Sequence, residues 1–193
     1  MCWNDRVSLT TFIIGAVVCY TLFKRNKPYD KVIGVFILFY SFIQFCEYLM
    51  WKSIKENNTK LNSLATKLVY INLYAHAAVV GYMLYLETGI SLYFKIGLIP
   101  FIYGIITMPK FRDDIIISKP KEGRHLAWDF DNRFYVVVSL IIFYSFYSIP
   151  SLRPMALFFL ITYIISFATK KGEGSASYWC WISAFLSGYA LIR

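Results

Sequence analysis

The second apolar stretch of the chain carries polar side chains that could do chemistry. Four of them share one face of a helix, because their spacings are four, three and four residues: Tyr40, Gln44, Glu47 and Trp51. Gln44 is the only glutamine in the chain. A carboxyl group in hydrocarbon costs about 2.5 to 3.5 kcal/mol or more, so Glu47 is predicted to face a bundle interior. There it would contact a ligand, carry a proton or bind an ion, or else link helices as a protonated, hydrogen-bonded group.

A second polar pair lies in the third apolar stretch. Asn72 and His76 are four residues apart and would share a helix face. Folding the two stretches together around Lys55–Asn62 would bring Gln44 near the depth of Asn72, with His76 deeper. We therefore predict a polar seam, which is formed by Glu47, Gln44, Asn72 and His76. The alternative is that His76 makes an ordinary interhelical hydrogen bond.

The long polar segment 109–132 holds the second of the two histidines. Segments of this length without secondary structure are uncommon unless they are functional or disordered. His125 and Asp129 would share a face only if their stretch is helical, whereas Trp128 suits an interfacial anchor. A small hairpin and an interfacial segment are both compatible with the sequence. The segment would either fold over the bundle as a lid on the polar seam or remain a solvated loop.

Several kinds of chemistry have no pattern in this sequence. The four cysteines form no CxxC pair, and two histidines fall short of an ordinary zinc set. No P-loop, serine nucleophile elbow or twin-glycine nucleotide motif is present. We therefore predict no metal and no cofactor, and the sequence leans away from an enzyme.

The elements that must position these residues are transmembrane helices. Hydrophobic residues make up 58% of the 193-residue chain, and the charged residues cluster between long apolar runs. None of the runs alternates as a strand would, and helices are the form that spans a bilayer. We predict one all-α transmembrane domain over 1–193, with about seven helices in these runs: Ser8–Phe23, Val32–Trp51, Leu64–Leu86, Ile90–Met108, Phe134–Ile149, Pro154–Thr169 and Ser177–Ile192.

The net charge of +9 is predicted to interact with anionic lipid headgroups rather than with nucleic acid. The basic residues lie at the edges of apolar runs, and no nucleic-acid-binding motif accompanies them. With seven helices, thirteen basic residues fall on the side of the N-terminus and seven on the other. The excess places the N-terminus in the cytoplasm. Several runs of about 16 residues favour a thin membrane such as the endoplasmic reticulum.

Three short motifs together resemble a known group of proteins. They are Gln44-x-x-Glu47-x-x-x-Trp51, His125-Leu-x-Trp128 and Trp179-Cys180-Trp181. In these the chain is similar to a family of small, uncharacterised multi-pass membrane proteins from large DNA viruses and single-celled eukaryotes. The resemblance covers most of the chain and implies no established activity. It does imply that the polar seam and segment 109–132 form the site.

The leading functional hypothesis is a small transporter, channel or ligand-binding membrane protein with an internal polar site. Its partners would be the lipid bilayer and a small-molecule, ion or lipid ligand. One alternative is a membrane-embedded enzyme acting on a lipid, with His76, His125 and a carboxylate as its reactive groups. Another is a scaffold without chemistry, whose helices bind other membrane proteins. The sequence indicates no oligomeric state.

Overall fold

The described residues of the chain fold as a bundle of α-helices with one short β-hairpin. A computed structural model describes residues 4–108, 117–121, 125–128, 135–170 and 185–193. Their helices are α1 Asp5–Arg25, α2 Asp30–Lys55, α3 Thr59–Thr88, α4 Ser91–Thr107, α5 Tyr135–Tyr147, α6 Arg153–Lys170 and α7 185–192, with a 3₁₀ turn at Pro150–Leu152. The all-α prediction is confirmed.

Three of the helices, α1, α2 and α3, are long and apolar enough to cross a membrane. They contain 21, 26 and 30 residues, respectively. At 1.5 Å per residue the shortest of them is about 32 Å long, which matches the roughly 30 Å of hydrocarbon in a bilayer. They are longer than their apolar runs because polar residues continue the helices. In α3, for example, the Asn58 side chain caps the first turn by accepting from the Leu61 N–H. The chain is a membrane protein.

The first four helices pack side by side in chain order, and α5 packs on α3 and α4. Small residues allow α3 and α4 to approach closely. A Cβ atom added to Gly97 would collide with the Ala77 carbonyl, and one added to Gly81 would collide with the Tyr93 carbonyl. The centre of the bundle is aromatic. Phe36 of α2 makes edge contacts with Phe146 of α5 and Phe159 of α6 at ring-centroid distances of 5.1 and 5.8 Å.

Segment 109–132 contains a β-hairpin in its described part. Strand β1, Lys119–Lys121, pairs antiparallel with strand β2, His125–Ala127. The hairpin alternative is thus the one that the structure shows. The condition for a helical face shared by His125 and Asp129 is not met, because His125 lies in an extended strand. Asp129 and the His125 side chain lie outside the described residues, as do Trp179-Cys180-Trp181 and the first half of the seventh predicted run.

Candidate functional site

The β-hairpin is fastened to the first turns of α3 through the residue that precedes it. The Ser118 N–H donates to the Asn62 side-chain oxygen at 2.8 Å, and the Asn62 amide donates back to the Ser118 carbonyl at 3.1 Å. The hydroxyls of Ser118 and Thr66 lie 2.8 Å apart. All three residues are buried. One asparagine therefore satisfies both backbone groups of Ser118, as a neighbouring strand would, and fixes where β1 begins.

The open end of the hairpin, where Ser118 precedes β1 and Trp128 follows β2, lies beside Glu47. Leu126 of β2 is buried in the core, and Trp128 packs against the same core. The Trp128 indole contacts the Glu47 carboxyl group through an N–H···O approach that is looser than an ideal hydrogen bond. Glu47 is 1% exposed. The hairpin thus covers the acidic side chain that the sequence singled out.

From Glu47, polar side chains continue along the buried face of α2. Gln44 lies one turn away and Tyr40 one turn further, and both are buried. The Tyr40 ring meets the His76 ring of α3 at a centroid distance of 6.2 Å. We call this set the polar row, and its members are Glu47, Gln44, Tyr40 and His76.

His76 lies at the aromatic centre of the bundle. Its ring stacks on Phe36 at 5.1 Å and on Phe39 at 6.2 Å, and its side chain is completely buried. The Phe36 carbonyl contacts the ring, but neither ring nitrogen has a hydrogen bond of good geometry. An imidazole held in this way keeps its hydrogen-bonding capacity for another partner.

Asn72 is close to His76 in sequence but has a different partner. Its side-chain amide donates to the Phe39 carbonyl of α2 at 2.9 Å. Asn72 thus lies opposite Phe39, which is more than one turn from Gln44. The expected pairing was shifted because Thr59–Asn62 belongs to α3 rather than to a loop, so the turn between the helices is short. Asn72 joins α2 to α3 and stands beside the polar row.

Glu47 and His76 do not contact one another directly. His76 stacks on Phe36, which precedes Glu47 on α2 by eleven residues. At 1.5 Å per residue this separation is about 16 Å along the helix. Gln44 and Tyr40 lie between them, so Glu47 and His76 are the two ends of the polar row.

The described part of the chain contains no candidate metal-binding site. No group of three or more histidine, cysteine, aspartate or glutamate side chains there is close enough to hold an ion. In the polar row, a carboxyl and an imidazole can take up and release a proton, and the amide and the phenol between them can donate and accept hydrogen bonds.

Sequence reasoning missed a second buried acid, at the opposite end of α2. Asp30 is 1% exposed and accepts two hydrogen bonds from Arg25, at 2.7 and 2.8 Å. Arg25 also donates to the carbonyls of Ala190 and Leu191 in the last turn of α7. The signal was present in the sequence, since an arginine and an aspartate flank the short Asn-Lys-Pro-Tyr turn, but a short polar turn between two helices does not by itself indicate burial.

Comparison with known proteins adds no relative. No protein-family model, curated protein or solved structure matches the chain. The resemblance to small membrane proteins of large DNA viruses and single-celled eukaryotes stays a prediction.

Proposed function

We propose that the chain is a multi-pass membrane transport protein that moves protons, or a small polar solute together with protons, along the polar row. The observation that carries this proposal is the row itself. Its four polar side chains are buried, run from the hairpin-covered end of the bundle to the bundle centre, and succeed one another at intervals of about one turn. Ionisable side chains at such positions are expensive and commonly mark ion pathways and proton relays.

Glu47 is the group that exchanges protons at the covered end. Its carboxyl group is the first member of the row beneath Trp128. Movement of the hairpin would admit water or a solute to Glu47, and return of Trp128 would close the site again. Such gating by a loop segment is a common device in proteins that must exclude water from a site.

His76 is the group that receives protons at the bundle centre. A neutral imidazole has one donor and one acceptor nitrogen, so it can take a proton on one side and release one on the other. Its aromatic neighbours Phe36 and Phe39 hold the ring in place without consuming those nitrogens. In the proposed membrane orientation, the N-terminus and the hairpin lie on the cytoplasmic side, as the distribution of basic residues predicts.

Proton flux into lipid vesicles tests this function. The purified chain is reconstituted in vesicles that enclose a pH-sensitive dye, with the membrane potential clamped, and the decay of an imposed pH gradient is followed. The wild type should collapse the gradient at least tenfold faster than protein-free vesicles. Glu47→Gln should return the rate to that of protein-free vesicles, because an amide cannot exchange a proton.

Glu56→Gln is the matched control, because Glu56 follows α2 and is exposed. It should transport at the wild-type rate. A Glu47→Gln variant that folds and still transports as the wild type does would make Glu47 a structural residue and remove the basis of the proposal. A wild-type rate equal to that of protein-free vesicles would show that the chain does not move protons.

A further inference from the structure

Helix α5 contains a buried serine that the polar row does not include. Ser139 is 3% exposed, and its hydroxyl has no hydrogen-bond partner among the described residues. A serine inside a helix can satisfy its hydroxyl by donating to a carbonyl three or four residues before it, and the next two serines of the chain do so. Ser145 donates to the Ile141 carbonyl at 2.8 Å, and Ser148 donates to the Ser145 carbonyl at 2.9 Å. The Ser139 hydroxyl differs from both in keeping its hydrogen-bonding capacity for another group.

The face of α5 that carries Ser139 is turned toward α2. Ser139 precedes Phe146 by seven residues, which is close to two turns, so the two side chains leave the helix within about 20° of one another. The Phe146 ring makes an edge contact with the Phe36 ring of α2 at a centroid distance of 5.1 Å. Ile142 lies between Ser139 and Phe146 on this face and is completely buried. Ser139 thus faces the bundle interior about two turns from the contact with α2.

Helix α5 runs in the opposite direction to α2. At the end of α3, the Glu87 carboxylate accepts a hydrogen bond at 3.2 Å from the Tyr29 N–H, which directly precedes α2. Helix α4 begins three residues after α3 ends, and its Tyr93 hydroxyl lies 2.8 Å from the Ser148 hydroxyl, just beyond α5. The start of α2 and the end of α5 are therefore at the same end of the bundle, opposite the hairpin.

The depth of Ser139 follows from this direction. Seven residues along α5 from Phe146 to Ser139 correspond to about 10 Å toward the hairpin. On α2, Gln44 lies eight residues beyond Phe36, which is about 12 Å in the same direction. Because Phe36 and Phe146 are in contact, Ser139 is level with Gln44. A hydroxyl on a second helix therefore lies between the depths of the two ends of the polar row.

A hydroxyl at this level provides a step that the polar row lacks. Glu47 and His76 are separated by about 16 Å along α2, and Gln44 between them is an amide, which forms hydrogen bonds but takes up no proton. A serine hydroxyl donates and accepts hydrogen bonds at the same time. When a proton arrives at its oxygen and the hydroxyl's own proton leaves on the other side, the serine is unchanged and charge is carried forward.

We propose that Ser139 is a positioning residue of the proton pathway, whose hydroxyl hydrogen-bonds the water that enters when the hairpin opens and relays protons between Glu47 and Tyr40. This inference rests on the proposed proton transport and adds a second helix to its pathway. The alternative is that Ser139 is small only so that helices can pack closely, as is common in membranes. Alanine separates the two roles, because it is equally small and has no hydroxyl.

Proton flux into vesicles that contain the full chain is the first test. Ser139→Ala should lower the flux at least fivefold while the unfolding temperature stays that of the wild type, because the change removes a hydroxyl without a partner. Ser145→Ala is the matched control. Ser145 is 2% exposed on the same helix, but its hydroxyl is already bound to the Ile141 carbonyl. This variant should transport at the wild-type rate.

Access of water to the position is a second measurement, which a packing role would not produce. Ser139→Cys should react with a membrane-impermeant methanethiosulfonate reagent at least tenfold faster than Ser145→Cys, with the wild type giving the background from the native cysteines. Combining Ser139→Cys with Asn62→Ala should accelerate the reaction further, because the hairpin loses its attachment to α3. This measurement also decides the role of Ser139 if Ser139→Ala fails to fold.

The outcomes distinguish this inference from the proposed function. If Glu47→Gln abolishes flux but Ser139→Ala transports as the wild type does, proton transport stands and the role of Ser139 is overturned. Equal loss of flux in Ser139→Ala and Ser145→Ala, or equal reactivity of Ser139→Cys and Ser145→Cys, would likewise make Ser139 a packing residue. A wild type that collapses no pH gradient would instead overturn the proposed function, and this inference with it.

Discussion

The two ends of α2 each bury an acidic side chain, and the two acids are held differently. Asp30 lies at the first residue of the helix, where Arg25 binds both of its oxygens and the Lys27 N–H donates at 2.9 Å. Glu47 lies two turns before the other end, beneath the indole of Trp128. Both side chains are 1% exposed. Equal burial therefore accompanies an arginine that binds both carboxylate oxygens at one end and an indole that approaches the carboxyl group at the other.

This difference separates a structural acid from a candidate functional acid. A carboxylate that binds an arginine through two parallel hydrogen bonds is fixed in geometry and in charge. Arg25 also binds the last carbonyls of α7, so the ion pair closes the bundle at that end. The indole above Glu47 follows strand β2 of the hairpin, and Gln44, the next residue of the polar row, is one turn away along α2. Burial alone does not distinguish the two acids, whereas their partners do.

The largest expected effect is a loss of stability at the end of α2 where Asp30 binds Arg25. Asp30→Ala would leave Arg25 without its carboxylate, and breaking a buried ion pair costs about 3 to 5 kcal/mol. Because Arg25 keeps some access to water, we expect a loss near the lower end of this range, measured by denaturant titration in detergent micelles. The control is Glu56→Ala, which removes the exposed Lys52–Glu56 pair and should cost less than about 0.5 kcal/mol. Equal losses in the two variants would contradict the structural role of Asp30.

A smaller effect is expected where the hairpin is fastened. Asn62→Ala removes both hydrogen bonds to the Ser118 backbone and leaves buried polar groups unsatisfied, at a cost of about 1 to 3 kcal/mol. Amide hydrogen exchange of the hairpin should accelerate while that of α2 stays slow, and vesicle proton flux should rise as Glu47 becomes accessible. Lys60→Ala, exposed in the first turn of α3, should change neither quantity. Faster amide hydrogen exchange throughout the bundle would show that Asn62 stabilises the whole fold and not the hairpin alone.

Much of this arrangement could be predicted from residue patterns, and the failures have physical causes. The apolar runs and the spacing of Gln44 and Glu47 were sufficient to predict the helices and the buried face of α2. They also predicted that His76 lies deeper than Gln44. The pairing of Asn72 with Gln44 was wrong, because the register of the two helices depends on the length of the turn between them. A polar stretch such as Thr59–Asn62 is typical of a loop in sequence. In the structure it forms the first turn of α3, because the Asn58 side chain caps the helix.

The hairpin shows a second kind of limit. Its position over Glu47 depends on two contacts that are distant in sequence, Asn62 with Ser118 and Glu47 with Trp128. Neither pair has a local spacing that a periodicity argument can detect. The Arg25–Asp30 pair is local, but a short charged turn beside a membrane is ordinarily solvated, and its burial depends on α7, which returns from the far end of the chain.

The smallest expected change in stability, and the sharpest test of the polar row, is His76→Phe. A phenyl ring suits a site walled by Phe36 and Phe39, and the change removes ring nitrogens that have no hydrogen bond of good geometry. The free energy of unfolding should therefore stay within about 1 kcal/mol of the wild type. Proton flux should nevertheless fall at least tenfold, since the substituted ring cannot carry a proton. Asn72→Ala provides the opposite case, because it removes a helix-linking hydrogen bond beside the row, and it should cost about 1 kcal/mol while leaving flux unchanged. If flux followed stability in both variants, His76 would be one more packing residue and the contrast between the two ends of α2 would lose its functional meaning.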